Sequence, residues 1–325
     1  NTRTNLDPDY SQFSDWIELY NPTSQNIDLS NYGLSDDDED PLQWTFPEGT
    51  IIQANSYLLV WADDEENEDN VALHTNFKLS SKGEILTLVD TNGTIIDSLE
   101  FETQESDVSA TKQLDTIVFM VPTPGAQNGA TYPSKDLSKA PIATFDSGFF
   151  ATPINVALSQ ENGADIYFTT AGSTPNSASQ KYTAPISVNE TTVIRAVGIE
   201  SGELPSEIIS NSYFINHSSN LPVVSLTIDP KYLFDQKIGI YTEGDGTNGT
   251  PLAECSSQFT QRVNYAQEWE RPSHMEYFGI NRESEFRLTS GISISGQCSR
   301  LNQKKSFSFE LDSKFGTKKL EYKLF

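Results

Sequence analysis

The stretch of the chain best suited to chemistry is a polar, cationic turn close to Phe325. Its candidate ligand-binding residues are Gly296, Ser299, Arg300, Lys304 and Lys305. A glycine lets the backbone approach a phosphate closely, a serine hydroxyl donates a hydrogen bond, and arginine and lysine supply positive charge. The residue types therefore predict a phosphate cradle, and the alternative is an ordinary hairpin turn flanked by lysines.

Two strands must hold this turn in place. Ile292 and Ile294 alternate with serines before the turn, and Phe307, Phe309 and Leu311 alternate with polar residues after it. A period of two is typical of half-buried strands. The sequence therefore predicts a strand, the cationic turn and a second strand.

Further segments around the turn carry a resemblance to a known family. They read Leu-Pro-Val-Val-Ser-Leu-Thr-Ile-Asp-Pro from residue 221, Gly-Ile-Tyr at 239–241, Trp-Glu-Arg-Pro at 269–272 and Leu-Glu-Tyr-Lys-Leu-Phe at 320–325. Together with the turn they resemble the opening third of the CotH-type (spore coat protein H) kinase family, over residues 221–325. The resemblance implies a β-rich, partial kinase-like N-lobe whose turn contacts the phosphates of ATP.

The same resemblance limits what the chain can do alone. Twenty residues follow Lys305 in the sequence, too few for a second lobe with a catalytic base and magnesium ligands. We therefore expect no catalytic residue within the chain, and ATP and Mg²⁺ as cofactors of a full-length parent only. That parent would phosphorylate a protein with ATP.

Histidine and cysteine give little sign of a metal site. The three histidines, His74, His217 and His274, are far apart in sequence, so each is expected to be a surface or structural residue. The two cysteines, Cys255 and Cys298, do not form a Cys-x-x-Cys motif. A disulfide between them would suit an exported protein, and two buried free thiols are an equal alternative.

Composition excludes several classes of partner. The formal net charge of −25 would repel phosphate backbones, so no nucleic-acid partner is expected. No apolar run is long enough for a membrane span. Calcium could use the acidic runs at residues 36–40 and 63–69, although neither has EF-hand spacing and solvated acidic loops are the favoured interpretation.

The first part of the chain reads as short strands. Strand patterns recur at residues 57–61, 84–89 and 95–101, the last two joined by an Asp-Thr-Asn-Gly turn. Five phrases in this part carry a resemblance to a known family. They read Asp-Trp-Ile-Glu-Leu-Tyr-Asn-Pro from residue 15, Leu-Ser-Asp-Asp from 34, Trp-Thr-Phe-Pro-Glu-Gly-Thr from 44, His-Thr-Asn-Phe-Lys-Leu from 74 and Pro-Thr-Pro-Gly from 122. Together they resemble a bacterial lamin-tail domain. The resemblance implies an immunoglobulin-like β-sandwich, assigned to residues 1–129. The first strand usual in that family is missing from the printed sequence.

Residues 130–139 mix glycine, proline, serine and charge, which is typical of a linker. Three phrases beyond the linker carry another resemblance. They read Ile-Tyr-Phe-Thr-Thr-Ala-Gly-Ser-Thr-Pro from residue 166, Ala-Pro-Ile from 184 and Thr-Val-Ile-Arg-Ala-Val from 192. Together they resemble the C-terminal domain of chitobiase and β-hexosaminidase. The resemblance implies a second, non-catalytic Ig-like sandwich at residues 140–217. Tyr167, Tyr182 and Tyr213 could stack on a sugar, but packing in the core or at an edge is the favoured interpretation.

Taken together, the sequence predicts a mostly β chain of three compact units: two immunoglobulin-like β-sandwiches and a β-rich partial kinase-like N-lobe. A single helical turn is predicted at residues 229–235, followed by a strand at 239–241. We expect a secreted or cell-surface modular protein that is a fragment of a CotH-like kinase. The alternative is a non-catalytic adhesion or structural protein that binds a glycan or protein partner, and the oligomeric state is left open.

Overall fold

The computed structural model describes residues 1, 5–65, 70–114, 116–161, 163–246, 250–251, 255 and 262–322. Strands dominate these ranges, and the longest α-helix within them, α1 (Pro230–Phe234), has five residues. The predicted mostly β fold with Ig-like sandwiches is therefore confirmed. No helix of the described ranges is long and apolar enough to cross a membrane. The chain divides into two compact units, Asn1–Lys135 and Asp136–Phe325.

The N-terminal unit is built from short antiparallel strands. They are β1 (Asp15–Asn21), β2 (Ile27–Asp28), β3 (Gly33–Ser35), β4 (Trp44–Thr45), β5 (Ile51–Ile52), β6 (Ser56–Ala62), β7 (Leu73–His74), β8 (Gly83–Val89), β9 (Ile95–Glu102), β10 (Ser109–Gln113), β11 (Thr116–Met120) and β12 (Thr131–Tyr132). The sheets have the strand orders β1-β6-β7, β4-β3-β8-β9, β2-β5 and β10-β11-β12. Strand β7 runs parallel to β6, and this exception becomes important for the site below.

Alternation along these strands directs large side chains into one core. Leu34, Trp44, Phe46 and Val60 are among its buried members. The predicted hairpin of β8 and β9 is confirmed, and the Asp90 carboxylate accepts hydrogen bonds from backbone N–H groups within its turn. An aspartate at this position stabilises such a turn because its side chain satisfies donors that the ladder leaves unpaired.

The second unit begins with the other sandwich. Its strands are β13 (Ile142–Ala143), β14 (Gly148–Phe150), β15 (Ile154–Val156), β16 (Leu158–Ser159), β17 (Asp165–Thr169), β18 (Gln180–Lys181), β19 (Ile186–Val188), β20 (Thr192–Ile199) and β21 (Ile209–Ile215). The main sheet has the order β14-β21-β20-β17-β18, with β13-β16 and β15-β19 as smaller pairs. Val156, Ile194 and Tyr213 are buried in its core.

The last part of the chain forms a four-stranded antiparallel sheet of order β22-β25-β26-β27 and a separate pair β23-β24. The strands are β22 (Val223–Ile228), β23 (Thr250–Pro251), β24 (Arg262–Val263), β25 (Arg271–Phe278), β26 (Ser284–Ser295) and β27 (Ser306–Glu310). Whether this sheet is a kinase-like N-lobe stays a prediction.

The helical turn predicted before this sheet is confirmed as α1. Asp229 caps it, because its side chain accepts a hydrogen bond from Lys231 N, and proline occupies the first turn. The strand predicted at residues 239–241 is wrong. Ile240 N and Tyr241 N donate to carbonyls of the helix at 2.8 and 2.9 Å, so this segment folds back along α1 instead of joining a sheet.

The boundaries between parts differ from the expected three units. Residues 130–139 are predicted to be a linker, but they include β12, which pairs with β11. In the same segment Ser138 N donates a hydrogen bond to Leu204 O at 2.8 Å. The second sandwich and the C-terminal sheet belong to one compact unit. Phe149 and Phe214 both meet the ring of Phe278 at 5.4 Å, and composition alone gives no sign of such a shared interface.

Candidate functional site

The cationic turn lies between two strands, as its flanking alternation predicts. Ile292 and Ile294 of β26 are buried, and they stand opposite Phe309 and Phe307 of β27. Because β27 is the last strand of its sheet, Phe309 is 38% exposed. The strands thus fix both ends of the turn and leave its polar residues near solvent.

Glycine is required at the start of this turn. Gly296 has φ +104°, a backbone conformation that side-chain-bearing residues rarely adopt, and a Cβ there would collide with Ser299 Oγ. A short 3₁₀ turn follows at Cys298–Leu301, in which Arg300 N donates to Gln297 O at 3.2 Å. Gly296 therefore lets the chain turn at the position where the sequence predicts a glycine turn. Its predicted role in admitting a phosphate stays a prediction.

The cations of the turn make hydrogen bonds to backbone carbonyls. Arg300 donates through Nη1 to Ala266 O at 2.6 Å and through Nε to Gly296 O. Lys305 Nζ donates to Arg300 O at 2.6 Å and to Asn302 O at 3.1 Å. These donors hold the turn closed, so a phosphate would have to replace carbonyls as their acceptor.

Lys305 also packs against aromatic rings. Its ammonium lies 3.7 Å from the ring centroid of Tyr265, a cation–π contact. Burial lowers the pKa of Lys305, and the nearby Glu243 carboxylate opposes that effect. Lys304, in contrast, is exposed. The structure therefore brings Ser299, Arg300 and Lys305 into one turn, and phosphate binding by them stays a prediction.

A disulfide fastens the turn to another segment of the chain. Cys298 Sγ lies 2.19 Å from Cys255 Sγ, with the two Cα atoms 5.2 Å apart. Of the two alternatives open from the sequence, the structure contains the disulfide. The bond connects the cationic turn to the segment that precedes β24.

A second group of polar side chains is buried in the N-terminal unit. It consists of Asp7, Asp9, Asp63 and His74, here called the His74 cluster. Asp63 directly follows β6, and His74 ends β7, which runs parallel to β6 and pairs with it. Asp7 and Asp9 lie in a turn before β1, where Asp7 O accepts a hydrogen bond from Ser11 N at 2.8 Å. Three separate segments therefore meet at one imidazole ring.

The imidazole of His74 lies between carboxylates on both sides. Its Nδ1 is 3.0 Å from Asp63 Oδ1, and its Nε2 is 3.1 Å from Asp9 Oδ2 and 3.7 Å from Asp7 Oδ1. The side chains of His74 and Asp7 are fully buried, and those of Asp63 and Asp9 are 8% and 13% exposed. The ring of Tyr10 packs edge-on against the imidazole.

Each acid of the cluster is held by backbone donors as well. Asp7 Oδ1 accepts a hydrogen bond from Asp9 N at 2.8 Å, and Asp9 accepts from the N–H groups of Val71 and Ala72, both at 2.9 Å. Asp7 Oδ2 is different, because it is buried and has no hydrogen-bond partner among the described residues. One carboxylate oxygen of the cluster is therefore unsatisfied.

Burial and mutual charge shift the pKa values of the cluster. Burial raises the pKa of Asp7 to about 6, although hydrogen bonds from Asp9 N and Tyr10 N act in the opposite direction. Burial also acts to lower the pKa of His74, but hydrogen bonds to Asp63 and Asp9 outweigh it, so the net shift is upward. In Asp9 the hydrogen bonds outweigh burial and its pKa falls.

The residue pattern does not predict this cluster. It predicts a solvated acidic loop at residues 63–69 and a surface or structural His74, yet Asp63 is buried against His74. Residues 66–69 lie outside the described ranges. In the other acidic run, residues 37–40 are exposed, as expected for a solvated loop, and calcium binding there stays a prediction. Histidine and cysteine spacing in a sequence cannot reveal a site that combines one histidine with carboxylates from distant segments.

The tyrosines of the second sandwich pack as the favoured interpretation predicted. Tyr213 is fully buried, and Tyr182 packs against the same core. A different pair is available in the N-terminal unit. Tyr20 of β1 and Tyr57 of β6 are cross-strand partners whose rings stack at 4.7 Å, and Tyr20 is 51% exposed.

Comparisons with known proteins identify two modules. Residues 4–103 match the family model described as Lamin Tail Domain, and residues 145–210 match the model described as Chitobiase/beta-hexosaminidase C-terminal domain. No curated protein matches the chain. Both matched ranges end before residue 221, so the CotH resemblance of residues 221–325 stays a prediction. The chain is thus modular and carries two Ig-like domains.

Proposed function

We propose that this chain is a non-catalytic part of an exported surface protein, and that its N-terminal sandwich binds glycan. The observation that carries the proposal is the stacked pair of Tyr20 and Tyr57 on the N-terminal sandwich. Exposed aromatic surface marks interaction sites, and a tyrosine combines an apolar face with a polar hydroxyl at low entropic cost. Such a pair suits the flat, apolar face of a sugar ring.

Export is supported by the disulfide and by the module types. A bond between Cys255 and Cys298 is stable in an oxidising compartment and rare in the cytosol. The formal net charge of −25 keeps such a protein soluble and argues against nucleic acid as its partner. A location at the cell surface or in the medium follows from this proposal.

The cationic turn supports a scaffold role for the C-terminal sheet. Arg300 and Lys305 already donate to carbonyls, and Lys305 packs against Tyr265. Partly buried donors with acceptors in place stabilise a fold, and withdrawing them for a ligand would cost those hydrogen bonds. The turn therefore serves best as a clamp between β26 and β27.

Sedimentation with insoluble polysaccharides tests the glycan proposal on the full chain. Chitin is the first probe because the family of the second module is named after chitobiase, with peptidoglycan and cellulose as further probes. We expect retention on at least one of them and a loss of at least tenfold in affinity for Tyr20→Ala. Phe234→Ala is the matched control, because Phe234 is an exposed aromatic of the second unit, and its binding should equal wild type.

Two results would overturn the glycan proposal. One is the absence of wild-type retention on all three polysaccharides. The other is equal retention of Tyr20→Ala and wild type, with both proteins folded by circular dichroism. Either result would leave the scaffold role of the C-terminal sheet standing.

A second candidate function is nucleotide binding in a longer CotH-like kinase. It is favoured by the concentration of Ser299, Arg300, Lys304 and Lys305 at one turn of a chain that is otherwise strongly acidic. We expect weak or no ATP binding by the present chain, because a lone cradle is open to water and salt. In a complete parent, replacing Lys304 and Lys305 together by alanine should abolish ATP binding measured by calorimetry, and unchanged affinity would refute this candidate.

A further inference from the structure

We propose that the His74 cluster binds a divalent transition-metal ion of the Zn²⁺ type. Its ligands would be His74 Nε2 and the carboxylates of Asp7 and Asp9, with Asp63 as the residue that orients the imidazole. No assignment of the sandwich or of the cationic turn requires this site, so the inference is independent of the proposed function.

The spacing of the ligand atoms suits an ion of this kind. A zinc ion at about 2.0–2.2 Å from each ligand places neighbouring ligand atoms about 2.8–3.6 Å apart in octahedral or tetrahedral geometry. His74 Nε2 and Asp9 Oδ2 are 3.1 Å apart, within this range. Asp7 Oδ1 is 3.7 Å from the same nitrogen, just outside this range, and ligand atoms of Asp7, Asp63 and His74 all lie within 4.8 Å of one another.

The unsatisfied oxygen of Asp7 points to a ligand in its own right. The side chain of Asp7 is fully buried, yet Oδ2 has no hydrogen-bond partner among the described residues. Burying a carboxylate oxygen without a partner costs free energy, and buried charges in proteins are normally paired or coordinate metals. A cation beside Asp7 would remove that cost.

Asp63 occupies the position expected of a supporting carboxylate. Histidines that bind metals usually donate their other ring N–H to a carboxylate or carbonyl, which fixes the tautomer and the ring orientation. Asp63 Oδ1 lies 3.0 Å from His74 Nδ1, on the opposite side of the ring from Asp7 and Asp9. The nitrogen left to face those two acids is Nε2.

The chemistry of the donors selects the class of ion. One imidazole nitrogen with carboxylates suits Zn²⁺ and its first-row neighbours, whereas Ca²⁺ prefers six to eight oxygen ligands. A metal ion bonds to the unprotonated Nε2 of His74, so metal binding competes with protonation of that nitrogen.

Titration of the metal-stripped full chain with ZnCl₂ tests the proposal. We expect calorimetry to show one tight site per chain, micromolar or better, that excess CaCl₂ does not occupy. Asp7→Asn should weaken that site at least tenfold, because asparagine keeps an oxygen for Asp9 N but loses the charge. Asp63→Asn should weaken it by about 10- to 100-fold, as expected for the partner of a ligating histidine.

The matched control is Asp97→Asn, an exposed acid of the same unit that pairs with Lys112. It should bind Zn²⁺ like wild type. Substitution of Zn²⁺ by Co²⁺ gives an absorption spectrum that reports the ligand field, and we expect that spectrum to change in Asp7→Asn but not in Asp97→Asn.

The proposal fails if wild-type protein shows no stoichiometric Zn²⁺ binding, since the cluster would then be an ion-pair network alone. It also fails if Asp7→Asn, folded by near-ultraviolet circular dichroism, binds as tightly as wild type. An equal loss in Asp97→Asn would place the ion on the acidic surface instead of at His74.

Discussion

Two regions of this molecule concentrate ionisable side chains, and they satisfy them in opposite ways. In the cationic turn, Arg300 and Lys305 donate to main-chain carbonyls of their own and neighbouring segments. In the His74 cluster, one imidazole faces three carboxylates, and Asp7 Oδ2 is left without a hydrogen-bond partner among the described residues. The two cations of the turn thus have backbone acceptors, whereas one buried oxygen of the cluster has no donor among the described residues.

The difference shows that clustered charges in a sequence are a poor guide to which side chains are left to bind a ligand. Clustered cations suggest an anion-binding site. Every residue also carries a backbone carbonyl, however, and such carbonyls can accept the hydrogen bonds that the cations donate. Buried acids have fewer internal partners, because they need donors and most backbone N–H groups already belong to ladders. An orphaned acceptor in the core therefore carries more information than a row of lysines near the surface.

The largest expected effect comes from removing the centre of the cluster. His74→Leu in metal-free buffer should lower the free energy of unfolding of the N-terminal unit by about 3–5 kcal/mol, because the buried carboxylates lose the imidazole nitrogens with which they pair. Urea unfolding followed by tryptophan fluorescence measures it, since Trp16, Trp44 and Trp61 lie in that unit. His217→Leu, at an exposed histidine of the second unit, is the control. A loss below about 1 kcal/mol would mean that His74 is not the charged centre of the cluster.

His274, which is buried near two arginines, gives a second test of how surroundings shift the pKa of a histidine. Burial, with Arg195 and Arg287 nearby, lowers the pKa of His274 to about 4. The unfolded chain takes up a proton below pH 6.5 that the folded chain resists until about pH 4, so stability should fall as the pH drops through this window. Between pH 7 and 4.5, this one residue should cost the second unit about 2.5 kcal/mol.

Comparing His274→Leu with wild type isolates this contribution. Urea unfolding at pH 7 and at pH 4.5, followed by far-ultraviolet circular dichroism, gives the acid-induced loss for each protein. The variant should lose about 2.5 kcal/mol less than wild type over the same interval. Equal losses would show that His274 takes up its proton in the folded protein as readily as in the unfolded one.

The smallest expected effect is a difference in stability between variants of the two lysines of the turn. Lys305→Ala should cost about 1–2 kcal/mol, because its ammonium donates to two carbonyls and covers the ring of Tyr265. Lys304→Ala should change stability by less than about 0.5 kcal/mol, because Lys304 is exposed. Thermal unfolding of both variants tests this, and an equal shift in melting temperature would contradict the structural role given to Lys305.

The sequence by itself determined the strands, the turns and the modules. Alternation marked β26 and β27, an aspartate and a proline marked α1, and phrases of several residues identified the two sandwiches that the family models match. These features are local, because a strand period, a helix cap and a glycine turn each depend on only a few consecutive residues. Gly296 is an example, because a glycine turn is predicted there and the chain turns there with φ +104°.

Only the tertiary structure decided which side chains meet. His74 reaches Asp63 because β7 pairs in parallel with β6, and it reaches Asp9 because a turn more than sixty residues earlier in the chain packs against the same place. The segment at residues 239–241 has a strand-like sequence, yet it folds along α1 because carbonyls of that helix accept its N–H groups. A period of two tells which face a residue occupies, but not which distant segment covers that face. For that reason the sequence revealed the cationic turn and missed the His74 cluster.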